Sequence, residues 1–277
     1  LSEPVYALAV DRSGNNNIIY AGLGVERNFG KQHPAGAVLG YFYKSTDGGI
    51  TWFQTYIPSI TNESIMSIVI DPINSSKIYL LSESKLFISQ NRGDTWTQLN
   101  TLPYNKNIYT SLAVNRADPN IMFISYANNT NGSIISTGVL KSVNNGQLWI
   151  STSLINNNSG PYQGITRIKA HPVSDTTYFA IMDCYNGGVY KTIDTGATWI
   201  VTNNPVSKDT GIWYGWGISA TDFDIDPKNP DIMSYVNSMG VYLTEDGGAT
   251  WKQIAAERIN SNDGKNPETY KANGLDI

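Results

Sequence analysis

The sequence has very few of the residues that build disulfides and zinc sites. Its 277 residues include a single cysteine, Cys184, and two histidines. One cysteine excludes an internal disulfide, and one cysteine with two histidines cannot complete a four-ligand Cys/His zinc site. We therefore predict no cofactor and no metal centre of this kind, while a calcium site made of oxygen ligands stays open.

Charge and long apolar runs are scarce as well. Only 15% of the residues are charged, the net charge is -4, and no run of like charge occurs. Because phosphate binding needs a basic face, nucleic acid is not an expected partner. No apolar stretch approaches the roughly 20 residues that span a bilayer. Residues 1–4 lack the charged and apolar regions of a signal peptide, so we expect any export signal to have been removed.

A short repeated motif is the strongest pattern in the chain. It reads [Ser/Thr]-x-[Asp/Asn]-x-Gly-x-x-Trp, and successive copies start 44 to 53 residues apart. The five copies are 45–52, 89–96, 142–149, 192–199 and 244–251. This period is typical of a four-stranded propeller blade rather than of a helical solenoid.

Alternating apolar and β-branched residues predict the strands of each unit. The predicted innermost strands are Val5–Val10, Ile65–Ile70, Tyr109–Val114, Ile165–Ala170 and Thr221–Ile225. After a turn rich in Asp, Asn and Pro, the predicted second strands are Ile18–Ala21, Lys77–Leu81, Ile121–Tyr126, Thr177–Met182 and Ile232–Val236. A third strand runs into the motif and a fourth leaves from its Trp. The sequence therefore predicts an all-β propeller of four-stranded antiparallel blades.

The residue types of the motif suit a tight hairpin. Asp or Asn can accept hydrogen bonds from backbone N–H groups of the turn, Gly can adopt a positive φ, and Trp can bury a large ring between blades. Five of the seven tryptophans lie in the motifs. We therefore predict that these five are buried and structural rather than catalytic.

The five motifs resemble the Asp-box, also called the bacterial neuraminidase repeat, over nearly the whole chain. This repeat occurs in sialidases, two-propeller xyloglucan hydrolases and sortilin-type receptors. The resemblance implies a propeller in which the motifs lie between the third and fourth strands, on the face opposite the usual ligand site.

The count of blades predicts a larger protein. Five blades are followed by residues 273–277, which resemble the start of a sixth innermost strand. Asp-box propellers close with six or more blades, so we interpret residues 1–277 as one propeller domain that is part of a longer chain.

In a propeller, the loops between second and third strands and the segments between blades shape one face and the central pocket. The insertion 22–40 on that face carries Glu26, Arg27 and His33. The interblade segment 211–217 holds Trp213, Tyr214 and Trp216, which either stack on sugar rings or cover the end of the core. His171 falls on the opposite face, and we predict a structural role for it.

Glycoside hydrolysis normally needs two carboxyl groups. Asp183 follows a second strand and, together with Tyr185, precedes Gly187 and Gly188. It resembles the catalytic Asp that precedes Gly-Gly and an aromatic residue in the two-propeller xyloglucan hydrolases, although here other residues are inserted before the glycines. Asp222, in an innermost strand, is the second candidate and Glu26 is a third.

These residues leave three functions open, while sialidase activity is not expected because the chain has no Arg-Ile-Pro segment. The first is a secreted bacterial glycoside hydrolase that degrades a polysaccharide with Asp183 and Asp222. The second is a non-catalytic propeller that binds a glycan or a peptide. The third is a lyase acting on a uronic-acid sugar, in which Arg27 would pair with the carboxylate and His33 would move a proton.

Overall fold

The described part of the chain folds into five four-stranded antiparallel sheets, which are the blades of a β-propeller. The computed structural model describes residues 4–14, 17–24, 40–57, 60, 63–99, 102–103, 107–130, 133–156, 164–183, 188–202, 220–237 and 240–255. Among these residues the secondary structure consists of strands, turns and bends, without a helix. The all-β propeller predicted from the sequence is confirmed.

Each blade contributes four strands in chain order. The innermost strands are β1 Val5–Asp11, β5 Ile65–Ile70, β9 Asn107–Val114, β13 Gly164–Ala170 and β17 Ala220–Ile225. The second strands are β2 Ile18–Leu23, β6 Ile78–Ser82, β10 Met122–Thr130, β14 Tyr178–Asp183 and β18 Met233–Asn237. The third strands are β3 Tyr41–Ser45, β7 Leu86–Ser89, β11 Ser133–Ser142, β15 Gly188–Thr192 and β19 Gly240–Thr244. The outer strands are β4 Phe53–Tyr56, β8 Thr97–Gln98, β12 Ile150–Asn156, β16 Ile200–Val201 and β20 Lys252–Ala255.

Four apolar clusters between consecutive blades form the core of the described structure. Each contains side chains from two neighbouring sheets, and the innermost strands lie beside one another from β1 through β17. The second strands of the first four blades each bury one aromatic ring at the same position. These rings are Tyr20, Tyr79, Phe123 and Phe179.

Four of the second strands begin one residue later than the sequence predicts. The residue before each strand accepts a hydrogen bond that closes the preceding turn, as when Asp71 N donates to Lys77 O at 2.9 Å. Asp226 N donates to Ile232 O in the same way at 3.0 Å. Apolar alternation does not distinguish a turn-closing residue from the first residue of the strand.

The repeated motif forms the hairpin between the third and fourth strands in all five blades. In the fourth blade, Gly196 N donates to Thr192 Oγ1 at 2.9 Å and Thr198 N donates to Asp194 Oδ1 at 2.9 Å. The motif glycine has a positive φ in every copy, and so does the residue before it, which is Arg92, Asn145 or Thr195 where it is not glycine. The predicted roles of Asp, Asn and Gly are confirmed.

The prediction that all five motif tryptophans are buried is wrong for three of them. Trp149 and Trp251 are buried, whereas Trp52, Trp96 and Trp199 are half-buried. The motif forms a hairpin at the surface of the molecule, so part of the residue reaches solvent in these three copies. The rings still pack in the interblade layers, as the edge-to-face contact of Trp96 with Phe42 at 5.0 Å shows.

His171 has the structural role that the sequence predicts. In blades two, three and five the residue after the innermost strand accepts hydrogen bonds from the turn that follows: Asp71, Asn115 and Asp226 do so through a side-chain oxygen. His171 takes this position in the fourth blade, where its Nδ1 accepts from Val173 N at 3.2 Å and Ser174 N at 3.0 Å. Burial, together with the charge of Lys191, lowers the pKa of His171 and favours the neutral ring that these bonds require.

Candidate functional site at the channel end

The strands begin and end on two opposite faces of the propeller. The innermost strands begin, and the second strands end, on one face, which we call the loop face. The innermost strands end on the opposite face, which carries the five motif hairpins and which we call the motif face. The predicted carboxylates Asp183 and Asp222 lie towards the loop face, and His171 lies on the motif face.

A β-bulge recurs near the start of every innermost strand. The register against the second strand shifts at Tyr6, Met66, Thr110, Thr166 and Thr221. Bulges bend a strand and redirect its side chains, and they are common beside functional sites. The residues after the bulge occupy equivalent positions near the loop-face ends of the five innermost strands, a region that we call the channel end. They are Ala7, Ser67, Ser111, Arg167 and Asp222. The first three are small, and the last two are oppositely charged.

Arg167 connects three blades at the channel end. Its Nε lies 3.5 Å from Asp222 Oδ1 of the fifth blade, and its guanidinium carbon lies 5.4 Å from the ring centre of Tyr6 in the first blade. Burial acts against the charge of Arg167, but Tyr6 and Asp222 more than offset it and raise its pKa above the usual range. The site therefore contains a permanent cation that contacts an aromatic ring and a carboxylate.

A second ion pair follows two residues further along the same strands. Lys169 Nζ donates to Asp224 Oδ1 at 2.7 Å. The side chain of Asp222 is 67% exposed and that of Asp224 is 77% exposed. Both carboxylates are thus accessible, but only Asp222 lies directly after a bulge and pairs with the arginine that contacts Tyr6.

Asp183 is the last residue of β14, where it pairs with Gly164 of β13. Its strand contacts β17, which carries Asp222, so the two predicted carboxylates come from adjacent blades.

Glu83 follows β6 at the position that corresponds to Asp183, and sequence reasoning missed it. It is buried, and its Oε1 accepts from Ser64 N at 3.3 Å. Aligning the blades on their innermost and second strands reveals this equivalence.

An ordered polar loop adjoins Glu83 on the loop face. Glu63 accepts from Ser82 Oγ at 2.6 Å, Ser84 Oγ at 2.7 Å and Lys85 Nζ at 2.9 Å. Burial alone would raise the pKa of Glu63, but these bonds outweigh it and lower the pKa. Glu63 is fully used in fixing this loop, so we assign it a structural role.

The remaining predicted site residues lie outside the described residues, so their predicted roles stay predictions. They are Glu26, Arg27, His33, Tyr185, Trp213, Tyr214 and Trp216. The same holds for the side chain of Asp183 and for the predicted sixth innermost strand at 273–277.

The structure brings in Arg167 and Tyr6, which sequence reasoning did not select. Arg167 could have been found by comparing the repeats, because a long cationic side chain stands there at the position of the small residues of the first three blades.

Among the residues with described positions, no three His, Cys, Asp or Glu side chains are grouped as a metal site. Nor does that part of the chain contain a helix that is long and apolar enough to cross a membrane.

One family profile matches part of the chain. Residues 40–153, less than half of the sequence, match the Sortilin-Vps10 family, described as sortilin and neurotensin receptor 3. This stretch runs from the third strand of the first blade to the outer strand of the third blade. No curated protein matches the sequence.

Solved structures of GH74 enzymes are similar in fold. The xyloglucanase from Xanthomonas campestris has 15% identity and a TM-score of 0.60, and the match covers 84% of this chain and 35% of that enzyme. The Niastella koreensis GH74 enzyme has 22% identity and a TM-score of 0.59, covering 88% and 37%. An ancestral GH74 enzyme has 18% identity and a TM-score of 0.64, covering 91% and 31%. The chain thus spans about a third of the length of these enzymes.

A structure of the COPII outer coat is also similar, with 12% identity and a TM-score of 0.55, covering 88% of this chain and 58% of that one. Propellers in enzymes and in coat proteins thus share this architecture. At these identities the similarity concerns the fold alone, so the site itself must supply the argument for function. The chain is a β-propeller similar in fold to the GH74 enzymes.

Proposed function

We propose that the protein binds and cleaves a polysaccharide at the loop-face end of its channel, with Asp183 and Asp222 as the two carboxyl groups. The observation that carries this proposal is the cluster of Tyr6, Arg167 and Asp222. Arg167 contacts the ring of Tyr6 and pairs with the accessible carboxylate of Asp222, which lies in the blade next to Asp183. Two carboxyl groups that flank a glycosidic bond are what its hydrolysis needs.

In this proposal the chemical roles follow from position. Asp183 acts as general acid or base at the end of β14, and Asp222 is its partner. Tyr185, Trp213, Tyr214 and Trp216 form sugar-stacking platforms, and Arg27 and His33 add polar contacts from the insertion of the first blade. We also propose that the five hairpin motifs are Asp-boxes, and that the protein is secreted or displayed at a bacterial cell surface.

The second candidate is a propeller that binds a glycan or a peptide without chemistry. The ion pair between Arg167 and Asp222 favours it, because a carboxylate already paired with a guanidinium can serve recognition alone. A lyase acting on uronic-acid sugars would instead depend on Arg27 and His33, which lie outside the described residues. These candidates differ in whether product forms and in which residues its formation requires.

The test is turnover on a panel of neutral and acidic polysaccharides, measured as newly formed reducing ends and as unsaturated uronic-acid products. Asp183→Asn and Asp222→Asn should each lower turnover about 100-fold or more, the usual contribution of a general acid or base. Asp224→Asn is the matched control for Asp222→Asn, because it removes another exposed, ion-paired carboxylate of the same strand. Its turnover and all melting temperatures should stay unchanged.

Equal losses in all three variants would contradict the assigned roles. Binding of a polysaccharide without any turnover would favour the binding propeller. Unsaturated products that persist in Asp183→Asn would favour the lyase.

A further inference from the structure

The interface between the second and third blades places a lysine against a side-chain amide. Lys77 directly precedes β6 in the second blade, and Asn145 lies in the motif hairpin of the third blade. Lys77 Nζ donates to Asn145 Oδ1 at 3.1 Å. The two residues are 68 positions apart in the sequence, so only the packing of the blades brings them together. An amine held against an amide carbonyl is in position to form a covalent amide bond.

A carboxylate lies beside the same amine. Asp71 Oδ2 is 3.3 Å from Lys77 Nζ, and the side chains of Asp71 and Lys77 are only 3% and 17% exposed. A lysine nitrogen must lose a proton before it can act as a nucleophile. Asp71 is placed to accept that proton, which is the role of a general base.

A phenol hydroxyl contacts the carbonyl oxygen of the same amide. Tyr79 is fully buried, and its hydroxyl lies 3.0 Å from Asn145 Oδ1 and 3.1 Å from Asp71 Oδ2. Burial, together with the charge of Asp71, raises the pKa of Tyr79 above its usual range, so the hydroxyl keeps its proton and serves as a donor. A donor at the carbonyl oxygen stabilises the negative charge that develops there when the carbon is attacked.

Among the four described interfaces between consecutive blades, only this one combines a lysine with a side-chain amide at these two positions. The other three interfaces hold Ile18 with Arg92, Ile121 with Thr195 and Thr177 with Gly247. Lysines do cross two of these interfaces, but they bind backbone oxygens: Lys141 Nζ donates to Thr195 O at 2.8 Å, and Lys191 Nζ donates to Gly247 O at 3.3 Å. A backbone carbonyl has no amine leaving group that could be lost without breaking the chain.

We propose that Lys77 and Asn145 form an intramolecular amide bond that joins the second and third blades. Lys77 gives one proton to Asp71, and the electron pair of its Nζ attacks Cγ of Asn145 while Tyr79 donates to the carbonyl oxygen. The bond between Cγ and Nδ2 then breaks, and Nδ2 takes its electron pair and one proton from Nζ to leave as ammonia. The proton held by Asp71 passes to the ammonia, so the products are the amide bond and one ammonium ion. This modification concerns the scaffold and does not depend on the proposed hydrolysis.

The first test is mass spectrometry of the purified protein, intact and after trypsin digestion. The parent should be lighter than its sequence requires by the mass of one ammonia molecule. Peptides 45–85 and 142–167 should appear as one cross-linked species, because trypsin does not cleave after an acylated Lys77. Lys77→Met should restore the full mass and separate the two peptides. Lys141→Met is the matched control, because Lys141 also reaches the next blade but contacts a backbone oxygen, and this variant should keep the cross-link.

The second test follows the rate of cross-linking in protein sampled at intervals after cell-free synthesis. Asp71→Asn should keep the turn, because Asn115 accepts the same hydrogen bonds in the third blade. It should slow cross-linking at least about 100-fold, the usual contribution of a general base. An unchanged rate would overturn the role of Asp71.

A parent protein of full mass that yields separate peptides would overturn the proposal, and this measurement needs no variant. So would a mass deficit that persists in Lys77→Met, because it would show that Asn145 loses ammonia to the backbone nitrogen of Gly146 instead.

Discussion

Replacing Trp149 tests whether the repeated motif stabilises the propeller. Trp149 is 8% exposed, its Nε1 donates to Gly146 O at 3.0 Å, and its ring belongs to the cluster between the second and third blades. Trp149→Ala removes this ring and the hydrogen bond. Large aromatic-to-alanine changes in cores cost about 3–5 kcal/mol. At about 2–4 °C per kcal/mol for a domain of this size, the melting temperature should fall by roughly 10 °C.

The assay is urea unfolding followed by tryptophan fluorescence and circular dichroism, with thermal unfolding as a second measurement. Ile150→Ala is the control, because Ile150 is the next residue but is exposed, so its loss should change stability by less than about 0.5 kcal/mol. Polysaccharide affinity of the folded Trp149→Ala protein should match that of the parent. A variant with parental stability, or one with weakened binding and unchanged stability, would refute the structural role of the motif.

Three further predictions concern the turns. Thr195 has a φ of 56°, which a β-branched residue adopts only at a cost of about 1–2 kcal/mol. Thr195→Gly should therefore raise the free energy of unfolding by about 1 kcal/mol in urea titrations. A decrease would contradict this reasoning. The folded pKa of His171 is lowered, so the stability it provides is complete above its unfolded pKa and is lost as pH falls through the folded value. His171→Asp should remove this loss from a stability profile between pH 7 and 5, and an unchanged profile would argue against the neutral-ring contacts. Hydrogen bonds from Thr51 and Ser45 lower the pKa of Asp47 from 3.8 to about 2, so its contribution is present above pH 3.8 and is lost towards pH 2. Asp47→Asn should keep the hairpin, as Asn91 and Asn144 do in their blades, while reducing that acid sensitivity in thermal melts; an equally acid-sensitive variant would contradict this.

The fold was predictable because the same pattern of turn and strand residues occurs five times in the sequence. Each copy combines a side chain that accepts hydrogen bonds in the turn, a glycine of positive φ and a large aromatic ring, and each follows strands of alternating apolar residues. A chance match to this pattern could occur in one blade but not in all five. The ends of the strands were less predictable. Lys77 and Ile232 look like strand residues in the sequence, but their carbonyl groups close turns.

The candidate site was only partly predictable, because it depends on which blades meet at the axis. Asp222 was selected from its place in an innermost strand. Tyr6 and Arg167 are separated by more than half of the chain, and no local pattern indicates that they touch. The bulge that redirects these residues has no glycine or proline to mark it. It becomes visible only when the registers of the five blades are compared.

The location of the binding surface is the central claim, and hydrogen–deuterium exchange with and without a bound oligosaccharide tests it most directly. The ligand is taken from whichever polysaccharide the panel identifies. Binding should slow exchange in peptides covering 4–8, 164–168 and 220–223 at the channel end, and leave the hairpins 45–52 and 192–199 unchanged. Protection confined to the hairpins of the motif face would contradict the account.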